Sequence, residues 1–145
     1  MPIRSFESRD LEFILALQNS CPEIAQWKIS DYERVVHGEM IGWIFEEEDK
    51  LIGFLVARLV HSEFEILNFA VSHDARRRGT GAALLERALH YARSFAAEQA
   101  ILEVRSANQT ALHFYEHHKF QIVGRRRNYY NAPTDDALLL TLRLN

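Results

Sequence analysis

The sequence predicts a mixed α/β fold, a central sheet of about seven strands flanked by about four helices. Three observations carry that prediction. Apolar runs of strand character alternate with amphipathic runs of helical period along the chain. Three strands follow one another in the middle of it, as antiparallel neighbours do. The segment from Phe64 to Val104 then reads strand, helix, strand, which demands a right-handed parallel crossover. Both kinds of pairing in one chain make a mixed sheet.

The elements follow in order. Ile3 to Phe6 reads as a short strand, and Asp10 to Cys21 as a helix stopped by Pro22, with Leu11, Ile14 and Leu15 on one face. Ser30-Asp31-Tyr32-Glu33 has the form of a capping box at the start of a second helix, and Gly38 ends it. Ile41 to Phe45 and Leu51 to Val60 flank the charged turn Glu46 to Lys50 as a hairpin, and Phe64 to Val71 is the next strand. A glycine-marked turn leads into a third helix whose stripe is Leu84, Leu85, Ala88, Leu89, Ala92 and Ala96. Ile101 to Val104 is a strand, Gln109 to His118 a helix, and Gln121 to Gly124 and Ala137 to Leu144 are two further strands.

Composition bounds the function. The chain has 145 residues, 48% hydrophobic and 26% charged, enough for one domain over residues 1–145 with a sizeable core and no room for a second. Its longest apolar stretch, Leu51 to Val60, is broken by Gly53 and Arg58 and falls short of a membrane helix. Arg4, Glu7, Arg9 and Asp10 occupy the place of a signal-peptide core. The lone Cys21 fits a reducing compartment and a buried thiol, so a cytoplasmic location is expected. A formal net charge of −3 argues against nucleic acid as the main ligand, and no membrane partner is expected.

The stretch Arg76-Arg77-Arg78-Gly79-Thr80-Gly81-Ala82 carries the strongest functional signal. It joins a strand to a helix. The first turn of a helix leaves backbone N–H groups without intrahelical partners, and the helix dipole adds positive character there, so phosphate fits. Gly79 and Gly81 allow close approach of the backbone to a diphosphate. A Walker loop needs Gly-Lys-Ser/Thr after four intervening residues, and a dinucleotide fingerprint needs a third glycine; neither is present. The pattern Arg-x-x-Gly-x-Gly resembles the pyrophosphate loop of the GNAT superfamily of acetyl-CoA-dependent N-acetyltransferases.

Two further segments extend that resemblance. Glu103 stands inside Ile-Leu-Glu-Val-Arg, on a strand expected to be covered on both faces, where a carboxylate loses hydration unless paired. Desolvation favours the neutral acid, a usual route to a general base. A structural role, with Glu103 at a strand end and paired to Arg105 or Arg58, is the alternative. Asn108 to Phe120 resembles the last GNAT segment in Asn108, Ala111, Phe114, Tyr115 and Phe120, with Lys119 where glycine usually stands. A left-handed cap is expected there, and lysine adopts it at a cost. Tyr115 also reads as a core residue with its phenol facing the sheet beside the strand of Glu103. With Arg-Arg-Asn-Tyr-Tyr at Arg126 to Tyr130, the order of motifs resembles the bacterial ribosomal-protein alanine N-acetyltransferase branch.

The resemblance implies roles for residues of this chain. Phe69, Ala70 and Val71 would pair through their backbone with the pantetheine of acetyl-CoA. Arg76 to Ala82 would hold the pyrophosphate and Asn108 would add a coenzyme contact. Glu103 would be the general base and Tyr115 the acid that protonates the leaving thiolate, with a strand N–H near Val71 for the oxyanion. The expected partners are acetyl-CoA and a primary amine. An N-terminal α-amine, as on a ribosomal protein, has a pKa near 8 against about 10.4 for lysine and is the easier nucleophile. A small-molecule amine and a non-catalytic acyl-CoA-binding module stay open. His113 and His117 have ligand spacing on a helix, but no third ligand follows, and no metal is expected. Arg125 to Arg127 reads as a substrate-side loop.

Overall fold

The computed structural model describes residues 2–76 and 78–145. One sheet of seven strands organises them, in the order β1-β2-β3-β4-β5-β7-β6. The strands are β1 (Ile3–Ser5), β2 (Ile41–Glu47), β3 (Lys50–Val60), β4 (Glu63–Val71), β5 (Gln99–Arg105), β6 (Gln121–Asn131) and β7 (Thr134–Arg143). Four α-helices, α1 (Leu11–Asn19), α2 (Ile29–Val36), α3 (Thr80–Ser94) and α4 (Gln109–His117), complete the fold, with single 3-10 turns at Ser8–Asp10 and His73–Ala75. β4 and β5 are parallel, joined by α3, and every other neighbouring pair is antiparallel. The expected crossover is present.

The helices divide the core in two. Leu84, Leu85, Ala88, Leu89 and Ala92 of α3 and Leu112 and Tyr115 of α4 pack with Leu55, Phe64, Leu102, Val104, Leu138 and Leu140 of the sheet. On the opposite face Ile14 and Leu17 of α1 and Tyr32 and Val35 of α2 pack with Ile44, Phe54, Val56 and Ala70. Cys21 is fully buried there, as a core thiol.

Three helix ends share one geometry. After α2, Gly38 has φ +87, with its N–H bonded to Val35 O and the Glu39 N–H to Arg34 O at 3.1 and 2.9 Å. After α3, Ala96 (φ 59) holds that position, with its N–H bonded to Arg93 O and the Ala97 N–H to Ala92 O. After α4 it is Lys119 (φ 76), with its N–H bonded to Glu116 O and the Phe120 N–H to Tyr115 O. These are Schellman caps, which favour glycine because a Cβ crowds the left-handed conformation. The left-handed cap expected at Lys119 is formed.

Several elements differ from the sequence reading. Ala96 is exposed and lies past the end of α3, because its left-handed backbone ends the helix two residues after Ser94. The N-cap of α2 is Lys28 rather than Ser30, and its N–H is held by the Asp31 carboxylate at 2.9 Å. β6 runs through Arg125 to Tyr130, expected as loop, because β7 pairs with it on both sides of an irregularity between Arg126 and Tyr130. There Asn128 has φ 51. β5 is covered by helices on one face only, since its buried residues alternate, Ala100, Leu102 and Val104. α1 and α2 pack on β2, β3 and β4 and leave the other face of β5 open.

Candidate active site

β4 carries one residue too many for its ladder. Val56 pairs with Asn68 and Ala57 with Ile66, so Leu67 is a bulge. On the other side of β4, pairing with β5 is confined to Glu63, Glu65 and Phe64 with Gln99, Ile101 and Ala100. Beyond Ile101 the two strands part. Phe69 and Val71 turn their peptide groups into that gap. The Ser72 N–H donates to Ile52 O of β3 at 2.8 Å, and Ala70 pairs with Phe54, which sets the alternation along the strand. Ala70 therefore spends its peptide on β3, and of the three expected coenzyme-pairing residues it is Phe69 and Val71 that offer an open strand edge.

The glycine loop meets the end of β4. Gly79, at φ +85, is the N-cap of α3, and Gly79 O accepts the first helical bond, from the Ala83 N–H at 2.9 Å. The N–H groups of Thr80, Gly81 and Ala82 thus precede the intrahelical ladder and point out of the helix start. A Cβ on Gly81 would lie 3.5 Å from the Phe114 ring and 3.6 Å from the Val71 side chain, ordinary contact. Glycine there leaves room rather than relieving a clash. The arginines are spent differently. The Arg76 guanidinium donates to Val71 O at 3.2 Å and to Glu23 Oε1 at 2.9 Å, tying the loop to the α1–α2 connection. Arg78 pairs with Glu47 at 3.3 Å, and Arg77 lies outside the described residues. The loop therefore offers backbone donors beside the open edge of β4, an arrangement that fits a pantetheine diphosphate.

Glu103 and Tyr115 flank the gap from opposite faces. Glu103 alternates with the core residues Leu102 and Val104 and points into an open cleft of about 540 Å³, lined also by Glu63, Glu65, Ile101, Val123 and Arg126. Its Oε1 lies 3.4 Å from Arg126, and its Oε2 is buried with no hydrogen-bond partner among the described residues. The pairing is with Arg126 rather than Arg58 or Arg105: Arg58 bonds Glu65 at 2.7 Å, and Arg105 stacks over Tyr130 at 4.1 Å. A buried carboxylate oxygen without a donor is costly unless something is to be bound there.

Tyr115 lies on the helical side, its ring against Phe69, Phe114 and Phe120. Burial raises its phenol pKa above the ordinary tyrosine value, so it is a protonated donor at neutral pH. Asn108 is the N-cap of α4, its Oδ1 accepting the Ala111 N–H at 3.1 Å, which leaves its side-chain amide nitrogen for any ligand. Tyr130, near Glu103, is also raised, by desolvation first and then by the Glu103 charge.

Sequence reasoning missed three contributors. Arg126 was seen in its motif, but its partner is set by the β5-β7-β6 order, which local pattern does not show. Glu23 carries no local sign of its bond to Arg76. Asn68, a buried amide in the apolar run Ile66 to Val71, was the one visible signal. Among the described residues no three His, Cys, Asp or Glu side chains gather as a metal site, and no helix is long and apolar enough to cross a membrane.

The fold, the parted strands and the helix-start loop define an N-acetyltransferase. The chain belongs to the Acetyltransferase (GNAT) family, whose profile matches residues 7–120. It is 33% identical over 100 residues to the [ribosomal protein bS18]-alanine N-acetyltransferase of Salmonella typhimurium, covering 68% of each chain. It is 25% identical over 144 residues to a putative enzyme of the same name in Bacillus subtilis, covering 99% of this chain and 95% of that one. The crystal structure of the ribosomal-protein-S18-alanine N-acetyltransferase of Escherichia coli superposes with a TM-score of 0.86 at 26% identity, over 99% of this chain and 93% of that one.

Proposed function

We propose that this chain transfers the acetyl group of acetyl-CoA to the N-terminal α-amine of a protein, a ribosomal protein being the first candidate, with residues 1–145 acting as one cytoplasmic domain. The observation that carries the reading is the buried, unpartnered Glu103 Oε2 in an open cleft beside the parted strands. The names of the relatives support the acceptor.

Acetyl-CoA supplies an activated thioester at the gap. Phe69 and Val71 offer it a strand edge, and the first-turn amides at Thr80, Gly81 and Ala82 face its diphosphate. Asn108 adds its side-chain nitrogen. Glu103 accepts the proton of the attacking amine, directly or through one water, with Arg126 3.4 Å from its Oε1 to orient the carboxylate. Val71 N–H is the donor for the carbonyl oxygen as charge develops on it. Tyr115 gives its proton to the departing sulfur and recovers one from solvent.

A small cationic amine is the second reading, favoured by Glu63, Glu65 and Glu103 in the cleft wall. Two of these carboxylates are already matched by arginines, Glu65 by Arg58 and Glu103 by Arg126, and the cleft is open enough for an extended chain. That balance favours a peptide. Mass spectrometry of acetyl transfer to a library of peptide N-termini, alongside N-blocked lysine peptides and polyamines, tests it. Modification of the α-amine of peptides beginning with Ala or another small residue is expected. Exclusive modification of lysines or polyamines would reverse the reading.

A further inference from the structure

Among the described residues that line the open cleft, Arg126 carries the one positive charge, against the carboxylates of Glu63, Glu65 and Glu103. Glu65 bonds Arg58 of β3 at 2.7 Å, and Glu63 accepts the Gln99 side-chain amide at 2.7 Å. Arg126 is the partner of Glu103, and the sheet register explains its reach. Glu103 pairs with Leu139 and Leu139 with Gly124, so these three form one row across β5, β7 and β6, and Arg126 stands two residues further along β6 on the same face. Gly124 puts no side chain on the ground between them. The Asp136 carboxylate fixes β6 on either side of Arg126, taking the Arg125 guanidinium at 2.7 Å and the Asn128 N–H at 2.8 Å. The Tyr129 ring centre lies 5.3 Å from the Arg126 guanidinium carbon.

The contact is loose. At 3.4 Å, with the arginine side chain 60% exposed and the glutamate 24%, it sets a charge over the base without closing the cleft. An acceptor that arrives as a cation must share Glu103 with Arg126, and a neutral amine need not. At pH 7 about one peptide α-amine in ten is neutral, against about one lysine amine in two thousand. Attack on a thioester needs the neutral nitrogen. A guanidinium beside a bound amine also disfavours its extra proton, as like charges do.

We propose that Arg126 is a specificity-determining residue for the acceptor: its charge over Glu103 turns away amines that arrive protonated, the lysine side chain and the polyamine, and admits the α-amine of a peptide. The inference rests on the N-terminal reading of the acceptor. Discrimination of this kind comes from excluding the wrong substrate, so it is separable from any help Arg126 gives in orienting the carboxylate.

Two comparisons test it, each a ratio in which a general loss of activity cancels. The first is kcat/KM for a peptide beginning with Ala against the same peptide with a blocked N-terminus and one lysine. In Arg126→Gln the lysine peptide is expected to gain about tenfold relative to the α-amine peptide, the exposure of Arg126 keeping the effect moderate. Arg126→Lys, which keeps the charge and loses the planar fork, is expected to hold the wild-type ratio. The second comparison is inhibition by two unreactive peptides, one beginning with N,N,N-trimethylalanine and one with its neutral counterpart lacking the amino group. In Arg126→Gln the trimethylated peptide is expected to tighten about tenfold against the neutral one, and in the wild-type protein added salt narrows the preference for the neutral one. The salt series serves if Arg126→Gln does not fold. Ratios that stay at the wild-type values in Arg126→Gln, or that shift equally in Arg126→Gln and Arg126→Lys, overturn the inference, as does a wild-type inhibitor ratio that salt leaves unchanged. Wild-type protein that modifies only lysines or polyamines overturns the N-terminal reading instead, and the inhibitor pair still reads the charge of Arg126 by itself.

Discussion

Glu103 and Tyr115 lie on opposite faces of the central sheet, one in the open cleft and one in the helical core, with the gap between β4 and β5 dividing them. The phenol is not beside the strand of Glu103 on a shared face, as helical spacing alone suggests. The separation suits a reaction in which the amine loses its proton on one side while the thiolate gains one on the other.

Glu103→Gln is expected to lower turnover by roughly 10²–10⁴ and leave acetyl-CoA affinity unchanged, because the carboxylate faces the open cleft and not the glycine loop. Steady-state kinetics with calorimetry of acetyl-CoA binding checks it. Turnover at the wild-type level would assign the proton to solvent and leave Glu103 as the partner of Arg126.

Tyr115→Phe is expected to cut turnover similarly and to remove the alkaline fall in rate. Burial holds the phenol above its ordinary value near 10, so in the wild-type protein that fall lies above pH 10. The double variant with Glu103→Gln should be less impaired than the product of the two single losses, since both groups serve one proton sequence. A pH–rate profile identical in Tyr115→Phe and wild type would reduce the tyrosine to packing.

The same burial makes the fold sensitive to base. Tyr32 and Tyr115 both have raised phenol values in the folded state. Their contribution is fully present below the unfolded value near 10 and is lost as pH rises toward the folded values. Denaturant midpoints measured from pH 8 to 11 should fall above pH 10. Replacing either residue with Phe should flatten that fall, though the substitution itself changes stability at neutral pH.

Gly81→Asp is expected to abolish acetyl-CoA binding in a folded protein. The Cβ has ordinary contacts at 3.5 and 3.6 Å, so the fold tolerates it, while the carboxylate places negative charge where the diphosphate would lie. Calorimetry on a variant of unchanged melting temperature decides. Retained affinity would move the phosphate elsewhere.

Lys119→Gly and Ala96→Gly should each stabilise the chain by about 0.5–1 kcal/mol, the relief of a left-handed Cβ less the extra freedom of glycine when unfolded. Urea denaturation measures it. Gly38, already at the equivalent position of α2, gives the reference geometry.

The fold was legible where one short segment contains its own cause. The helix stripes, the hairpin and the crossover each depend on residues a few places apart, and the Lys119 cap could be read from a single position. The site was legible in its backbone parts, the Gly79 loop and the strand before it. What escaped depends on distant partners. Arg126 finds Glu103 only because β7 inserts between β5 and β6, and Arg76 finds Glu23 only after α1 folds over β4. The extension of β6 was hidden because its polar run Arg125 to Asn128 lacks the apolar alternation of a covered strand.

The bulge at Leu67 makes β4 a counter of odd and even. Before it Phe64 and Ile66 serve the α3–α4 core; after it Asn68 and Ala70 serve the α1–α2 core, and Phe69 takes the side facing Tyr115. Removing Leu67 alone would leave its neighbours on their present layers, whereas removing a residue that takes part in the alternation, such as Phe69, would send Ala70 to the opposite layer. This strand can therefore change its letters but hardly its length, and a drift by insertion or deletion that surface turns absorb readily would here exchange one half of the interior for the other.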